Sequence, residues 1–263
     1  MQTKRIFSTF AFTLLTIFLL LVVASRSSEA AKADSGIGNV DASINTVAEP
    51  SAKPSVLPGG KEELADKAES KPDIDISSWE YILADSDNNI GTYTPPHVTT
   101  IENTAQYFDD RAIGALTEFL TAARAAGYSP YIQNAYRSYQ SQNYIYNGRA
   151  SQIAWPEYPT AEDYAEAAKY VAEPGTSDHQ TGLGVDITDR YYSSLDASKM
   201  DQDFLAWLRE NCAKYGFILR YPAAKESITG WNEPWHFRYV GVEAATYIMD
   251  NNLCLEQFVA LYK

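Results

Sequence analysis

The stretch "GTSDHQTGLGVDIT", Gly175 to Thr188, decides the reading of this chain. Its last part, "GVDI", carries the pattern of a short strand. Successive side chains of a strand point to opposite faces. Val185 and Ile187 therefore take the core, and Asp186 and Gly184 the other side. A carboxylate on that side looks into a cleft. Gly182 and Gly184 let the backbone bend and approach closely, which brings His179 back towards the carboxylate. His179 is one of three histidines in a chain of 263 residues, so its place beside an acid is a signal.

The second signal is His236, in "NEPWHFRY", a strand-like run rich in aromatics with Glu233 three residues earlier. Two imidazoles and one carboxylate make a catalytic zinc set with a fourth position left for water. Glu233 is then the natural general base for that water without being a ligand itself. A regular strand would point Glu233 and His236 to opposite faces. Pro234 is therefore expected to break the strand and curl the glutamate back. A lone loop histidine, a lone strand-end aspartate and an isolated ExxH pair are each common by chance. His97, in "PPH" with no acid partner, reads as that bland case.

Working outward, helices and short strands alternate. "AQYFDDRAIGALTEFLTAARAAG" has apolar residues at helical spacing and stops at Gly127. "YSPYIQNAY" reads as a strand, and "SYQSQNYIYNGRA" as a helix. "TAEDYAEAAKYVAEPG" opens on a Thr cap, has acids in its first turn and ends at Pro174-Gly175. "DQDFLAWLRENCAKYG" is a helix, "FILRY" and "WHFRYV" are strands, and "EAATYIMDNN" and "LEQFVALYK" are closing helices. The fold class is α+β, a small antiparallel sheet with helices packed around it. One domain spans residues 73–263, with no internal repeat.

The net charge of −13 excludes nucleic acid as a partner, since phosphates would find little to neutralise them. Cys212 and Cys254 lie in no CxxC pair, which leaves either a disulfide or two free thiols. Lys4 and Arg5 precede the apolar run "IFSTFAFTLLTIFLLLVVA", Ile6 to Ala24. Residues 1–24 are thus either a cleaved signal peptide or an N-terminal membrane anchor, and both place the rest of the chain outside the cytoplasm. Residues 25–72 lack any aromatic residue and are rich in Ala, Ser, Pro and charge. Such a stretch cannot bury enough apolar surface to offset its ordering entropy, so it reads as a disordered linker.

Four blocks carry a family resemblance: "YILADSDNNIG", "NAYRSYQSQ", "SDHQTGLGVD" and "EPWHFRYVG". The third is similar to the SxHxxGxAxD motif of zinc D,D-peptidases that trim peptidoglycan stems, and the fourth to their ExPWHxRYVG-like block. Order and spacing fit over nearly all of residues 79–250. The chain resembles the VanY-type D-alanyl-D-alanine carboxypeptidases of the LAS metallopeptidase group. One position departs: Gly184 stands where the motif has alanine.

The resemblance implies a LAS/Hedgehog-like zinc peptidase fold and a zinc ion held by His179, Asp186 and His236, with Glu233 as base. It puts Arg137 near the scissile carbonyl, where oxyanion charge grows, or on the terminal carboxylate of the substrate. Ser177 becomes a substrate hydrogen-bonding group. Gln133, Tyr136 and Trp235 are candidate pocket walls or core residues. The implied partners are peptidoglycan stem peptides; the chain is expected to be a monomer, membrane-anchored or secreted, whose N-terminal segment meets the membrane. Competing readings are an L,D-carboxypeptidase acting on tetrapeptide stems, a D,D-dipeptidase, and a non-catalytic zinc-containing binding module.

Overall fold

Two antiparallel sheets organise the protein. In a computed structural model that describes residues 71–263, Val98–Thr100 (β1) pairs with Tyr107–Asp109 (β2) as a small ribbon. The second sheet has the order β3-β4-β6-β5, from Tyr131–Asn134 (β3), Gly184–Thr188 (β4), Phe217–Tyr221 (β5) and Glu233–Tyr239 (β6). All its neighbours run antiparallel. The helices are Ile113–Ala125 (α1), Tyr139–Ala154 (α2), Ala161–Ala167 (α3), Gln202–Asn211 (α4), Glu226–Thr229 (α5), Val242–Asp250 (α6) and Leu255–Ala260 (α7). The α+β class read from the sequence is the one observed.

Strand alternation sorts the residues as the pattern requires. Val185, Ile187, Phe217, Leu219 and Phe237 join Leu116 and Phe119 of α1 and Leu208 of α4 in the main core. The Phe119 ring lies 5.5 Å from that of Phe217 and 5.8 Å from that of Phe237. The other side of the sheet is covered by the C-terminal helices, through Ile218, Val240, Ile248, Leu255 and Phe258. Each fully buried side chain of this size contributes roughly 1.5–3 kcal/mol. The site-bearing strands β4 and β6 are thus packed on their core face, while the C-terminal helices cover β5 on the other side. Cys212 and Cys254 are buried free thiols.

Three local readings are corrected. The helix expected from Ala105 starts at Ile113, because Tyr107–Asp109 pairs with β1 and Asp109 is fully buried, where it holds Arg111. The helix opened by Thr160 has the expected cap, a capping box with Asp163, but stops at Ala167. Pro234 does not break β6, which runs through it.

The expected export segment 1–24 and the expected linker up to residue 70 lie outside the described residues. Lys71 and Pro72, the last of that linker, already touch the C-terminal end of the domain. The Lys71 ammonium donates to the Leu261 carbonyl and sits 4.2 Å from the Tyr262 ring centre, and the Tyr262 hydroxyl donates to the Pro72 carbonyl at 2.6 Å. Among the described residues, no helix is long and apolar enough to cross a membrane.

Candidate active site

The site is assembled on two adjacent strands and one tight turn. Asp186 of β4 and His236 of β6 are direct cross-strand partners. His179 lies in a short 3-10 turn, Asp178–Thr181. Gly182 then turns the chain into β4 with φ of +76°, and a Cβ there would come within 2.8 Å of Pro95 Cγ. Both the backbone angle and the close approach call for glycine. This is how a histidine seven residues upstream returns to the carboxylate.

The three side chains converge as a ligand set. His236 Nδ1 is 3.0 Å from Asp186 Oδ1, and His179 Nε2 is 3.4 Å from Asp186 Oδ2. The two imidazole rings stand 4.6 Å apart. All three residues are buried, and their ligand atoms lie within 4.8 Å of one another. His236 Nδ1 and Asp186 Oδ1 have no hydrogen-bond partner among the described residues. Buried lone pairs left facing each other are costly unless a cation sits between them. Imidazole and carboxylate are ligands that zinc takes readily. The residues therefore fit a zinc ion.

Glu233 reaches the same place by a route the sequence hid. Between the pairs Leu219–Phe237 and Tyr221–Glu233, β5 advances two residues while β6 advances four. This slip in register turns the glutamate round, so that its Oε2 lies 3.6 Å from His236 Nδ1. Burial pushes the Glu233 carboxyl up to about 7, against the pull of His236 and Arg137 and with the help of Asp186. A carboxyl tuned towards neutrality is suited to shuttling a proton.

Arg137 stands beside these acids. Its backbone N–H donates to the His179 carbonyl at 3.1 Å, which ties the YRS block to the metal turn. Its guanidinium donates to Gln142 Oε1 at 3.0 Å. Burial lowers its pKa, and the nearby charges of Asp186 and Glu233 offset that only in part. Ser177 is buried at the start of the same turn.

The other expected residues have partners of their own. Gln133 spends both ends of its amide on the Tyr192 backbone, at 2.8 and 3.0 Å. Tyr136 pairs its hydroxyl with Thr94 at 3.1 Å. Trp235 packs with Tyr192, Met200 and Leu205 in a small apolar cluster. His97 is exposed and outside the ligand set.

Four neighbours of the site were missed. Asn134 donates to Asp186 Oδ2 at 2.8 Å. Asp178 accepts from His236 Nε2 at 3.0 Å. Gln142 braces Arg137 and donates in turn to the Ala172 carbonyl at 2.6 Å. The Tyr221 ring lies 4.9 Å from that of His236. A usable signal existed for Asp178: Arg220 and Arg238 sit inside apolar strands, and buried cations need a buried acid.

The VanY family model, described as D-alanyl-D-alanine carboxypeptidase, matches residues 105–242, more than half of the chain. The chain belongs to the VanY carboxypeptidase family. A D-alanyl-D-alanine carboxypeptidase of Enterococcus faecalis is 38% identical over 194 residues, which cover 73% of this chain and 70% of that protein. Further curated relatives are matched over 45% to 56% of their length. Among solved structures, VanYB in complex with D-alanine-D-alanine superposes with a TM-score of 0.60 at 37% identity, covering 71% of this chain and all of that one. A variant of the D,D-pentapeptidase VanY from a VanB-type resistance cassette, in complex with Zn(II), gives 0.59 at 37% identity, covering 69% of this chain and 99% of that one. The VanY chain described here is accordingly an enzyme of the metallocarboxypeptidase type, with zinc as its cofactor.

Proposed function

We propose that this VanY-family enzyme removes the terminal D-alanine from peptidoglycan stem peptides ending in D-alanyl-D-alanine, with Glu233 as general base. The observation that carries the reading is the convergence of Glu233 on the His179, Asp186 and His236 set, with Arg137 facing the same acids. Zinc, when held by those three residues, supplies the Lewis acid that polarises the scissile carbonyl and acidifies a water. Glu233 takes the proton of the attacking water and returns it to the nitrogen of the departing D-alanine. Burial keeps its carboxyl close to the range in which both transfers are easy. Arg137 offers a planar cationic fork, suited either to the growing oxyanion or to the substrate's terminal carboxylate. Gln142 holds that fork in place.

A binding module has no need of a carboxyl with a raised pKa beside the metal, and this supports catalysis over a non-catalytic role. The apolar run Ile6 to Ala24 supports placing the enzyme outside the cytoplasm, exported or anchored, where stem peptides are found. The decisive assay incubates the zinc-loaded protein with defined pentapeptide and tetrapeptide stems. Release of a single D-alanine from the pentapeptide is expected. Release only from the tetrapeptide would select the L,D reading, release of the intact dipeptide the D,D-dipeptidase reading, and no release from either would overturn catalysis on stems.

A further inference from the structure

The ring of His236 has two nitrogens, and only Nδ1 faces Asp186 and the ligand set. Nε2 points the other way, into a buried pocket that holds one carboxylate. Asp178 Oδ2 lies 3.0 Å from it. Asp178 is fully buried, and two fully buried arginines fix it. Arg238 donates to its Oδ1, and Arg220 Nε lies 3.5 Å from the same oxygen. Arg238 in turn donates to the Glu80 and Ile82 carbonyls at 2.9 and 2.7 Å, and Arg220 pairs with Glu256 at 2.7 Å. With two cations beside it, the Asp178 carboxylate is ionised and can only accept. In the neutral ring Nε2 therefore carries the proton, which leaves the Nδ1 lone pair free on the metal side.

Gly184 makes the contact possible. A Cβ at this position would stand 2.7 Å from Asp178 Oδ2 and 2.9 Å from His236 Nε2, at the hydrogen bond itself. The family motif has alanine here. The single small departure from the motif thus falls where an added methyl meets the Asp178–His236 pair.

We propose that Asp178 is a positioning residue for the zinc ligand His236, and that Gly184 is the residue that admits it. The inference rests on zinc binding at the His179, Asp186 and His236 set. Asp178 fixes the tautomer and the ring orientation of His236, and so raises the affinity for zinc. A purely structural Asp178 would only neutralise Arg220 and Arg238. The two roles separate in Gly184→Ala, which leaves every charge in place and meets the Asp178–His236 contact first, with the Asp178 backbone next at 3.3 Å.

The test measures zinc affinity of the full-length protein by competition with a chromogenic chelator, alongside the melting temperature of the metal-stripped form. Gly184→Ala is expected to bind zinc at least about tenfold more weakly than the parent, and Asp178→Asn about 10–100-fold more weakly. Because both act through one contact, the double variant should be no more than about threefold weaker than the weaker single one. Loss of melting temperature with zinc affinity intact in Gly184→Ala would overturn the inference, as would factors that multiply in the double variant. Should Asp178→Asn fail to fold, Gly184→Ala decides by itself. A parent that takes up no zinc overturns the metal site, and this inference with it. A parent that binds zinc, beside a Gly184→Ala protein that binds it equally well, overturns the positioning role alone.

Discussion

Asp186 and His236 face each other across neighbouring strands, with Oδ1 of one 3.0 Å from Nδ1 of the other. Neither atom has a hydrogen-bond partner among the described residues. A backbone register therefore fixes two of the three metal ligands, and the loop supplies only His179. His236→Ala should fold, because the sheet hydrogen bonds are made by backbone, but should lose its metal. Elemental analysis is expected to give about one zinc per parent chain and close to none for the variant. Full zinc in the variant would mean that the ligands are misassigned.

Glu233 touches the ligand set without belonging to it. Glu233→Gln keeps the size and removes the base. It should retain zinc and melt within a few degrees of the parent, while kcat falls by about 10²–10⁴-fold. Steady-state release of D-alanine, measured with the zinc content of the same sample, checks this. Near-parental kcat would remove Glu233 from the mechanism.

The ligands were legible because their signals are local. The glycines of "HQTGLGVD" and the alternation of "GVDI" determine where His179 and Asp186 go. The position of Glu233 was legible, but its cause was not. A proline was expected to turn it, and a slip in pairing with β5 does so instead, which depends on the partner strand. Asn134 and Asp178 were invisible because their partners lie 52 and 58 residues away, across strand pairings that no local pattern encodes. Tyr107–Asp109 reads as helix in the sequence because its apolar residues continue the spacing of α1, whereas pairing with β1 overrides that preference. Gln133 and Trp235 fit pocket wall or core alike in the sequence, because polar and aromatic residues near a site serve either role; the structure gives Gln133 a backbone partner in Tyr192 and Trp235 an apolar cluster.

Removing the metal should make stability fall as pH rises. Burial works against the charged form of His236, but the hydrogen bond of Asp178 and the nearby Asp186 carboxylate lift its pKa to about 9, above its ordinary value of 6.5. Its stabilising contribution is complete below about pH 6.5 and is lost as pH rises towards 9. Glu233, raised to about 7 by burial, acts in the same direction at lower pH. Its contribution is complete below about pH 4.5 and is lost on the way to 7. Zinc needs the Nδ1 lone pair free, so the stabilisation it confers should grow over the interval in which the stripped protein weakens. Melting temperatures of stripped and loaded protein at about pH 6.5, 7.5 and 9 test this. A zinc increment that shrinks with pH would contradict the assignment of His236 as a ligand.

Arg137 is held from one side by Gln142 and faces Asp186 and Glu233 on the other. If its flat fork binds the oxyanion or the terminal carboxylate, lysine is a poor replacement, because it keeps the charge and loses the paired donors. Arg137→Lys should lose at least about tenfold in kcat/KM, roughly 1.4 kcal/mol of transition-state binding, with zinc content and melting temperature unchanged. Gln142→Ala, which frees the fork without removing it, should lose less. A fall mainly in kcat assigns Arg137 to the oxyanion, and a rise mainly in KM assigns it to the carboxylate. A stem peptide amidated at its C-terminus gives a second measure: a carboxylate-binding arginine makes the parent much poorer on the amide, and the lysine variant discriminates less. Parental behaviour of Arg137→Lys on both substrates would show that the cation serves the fold and not the reaction.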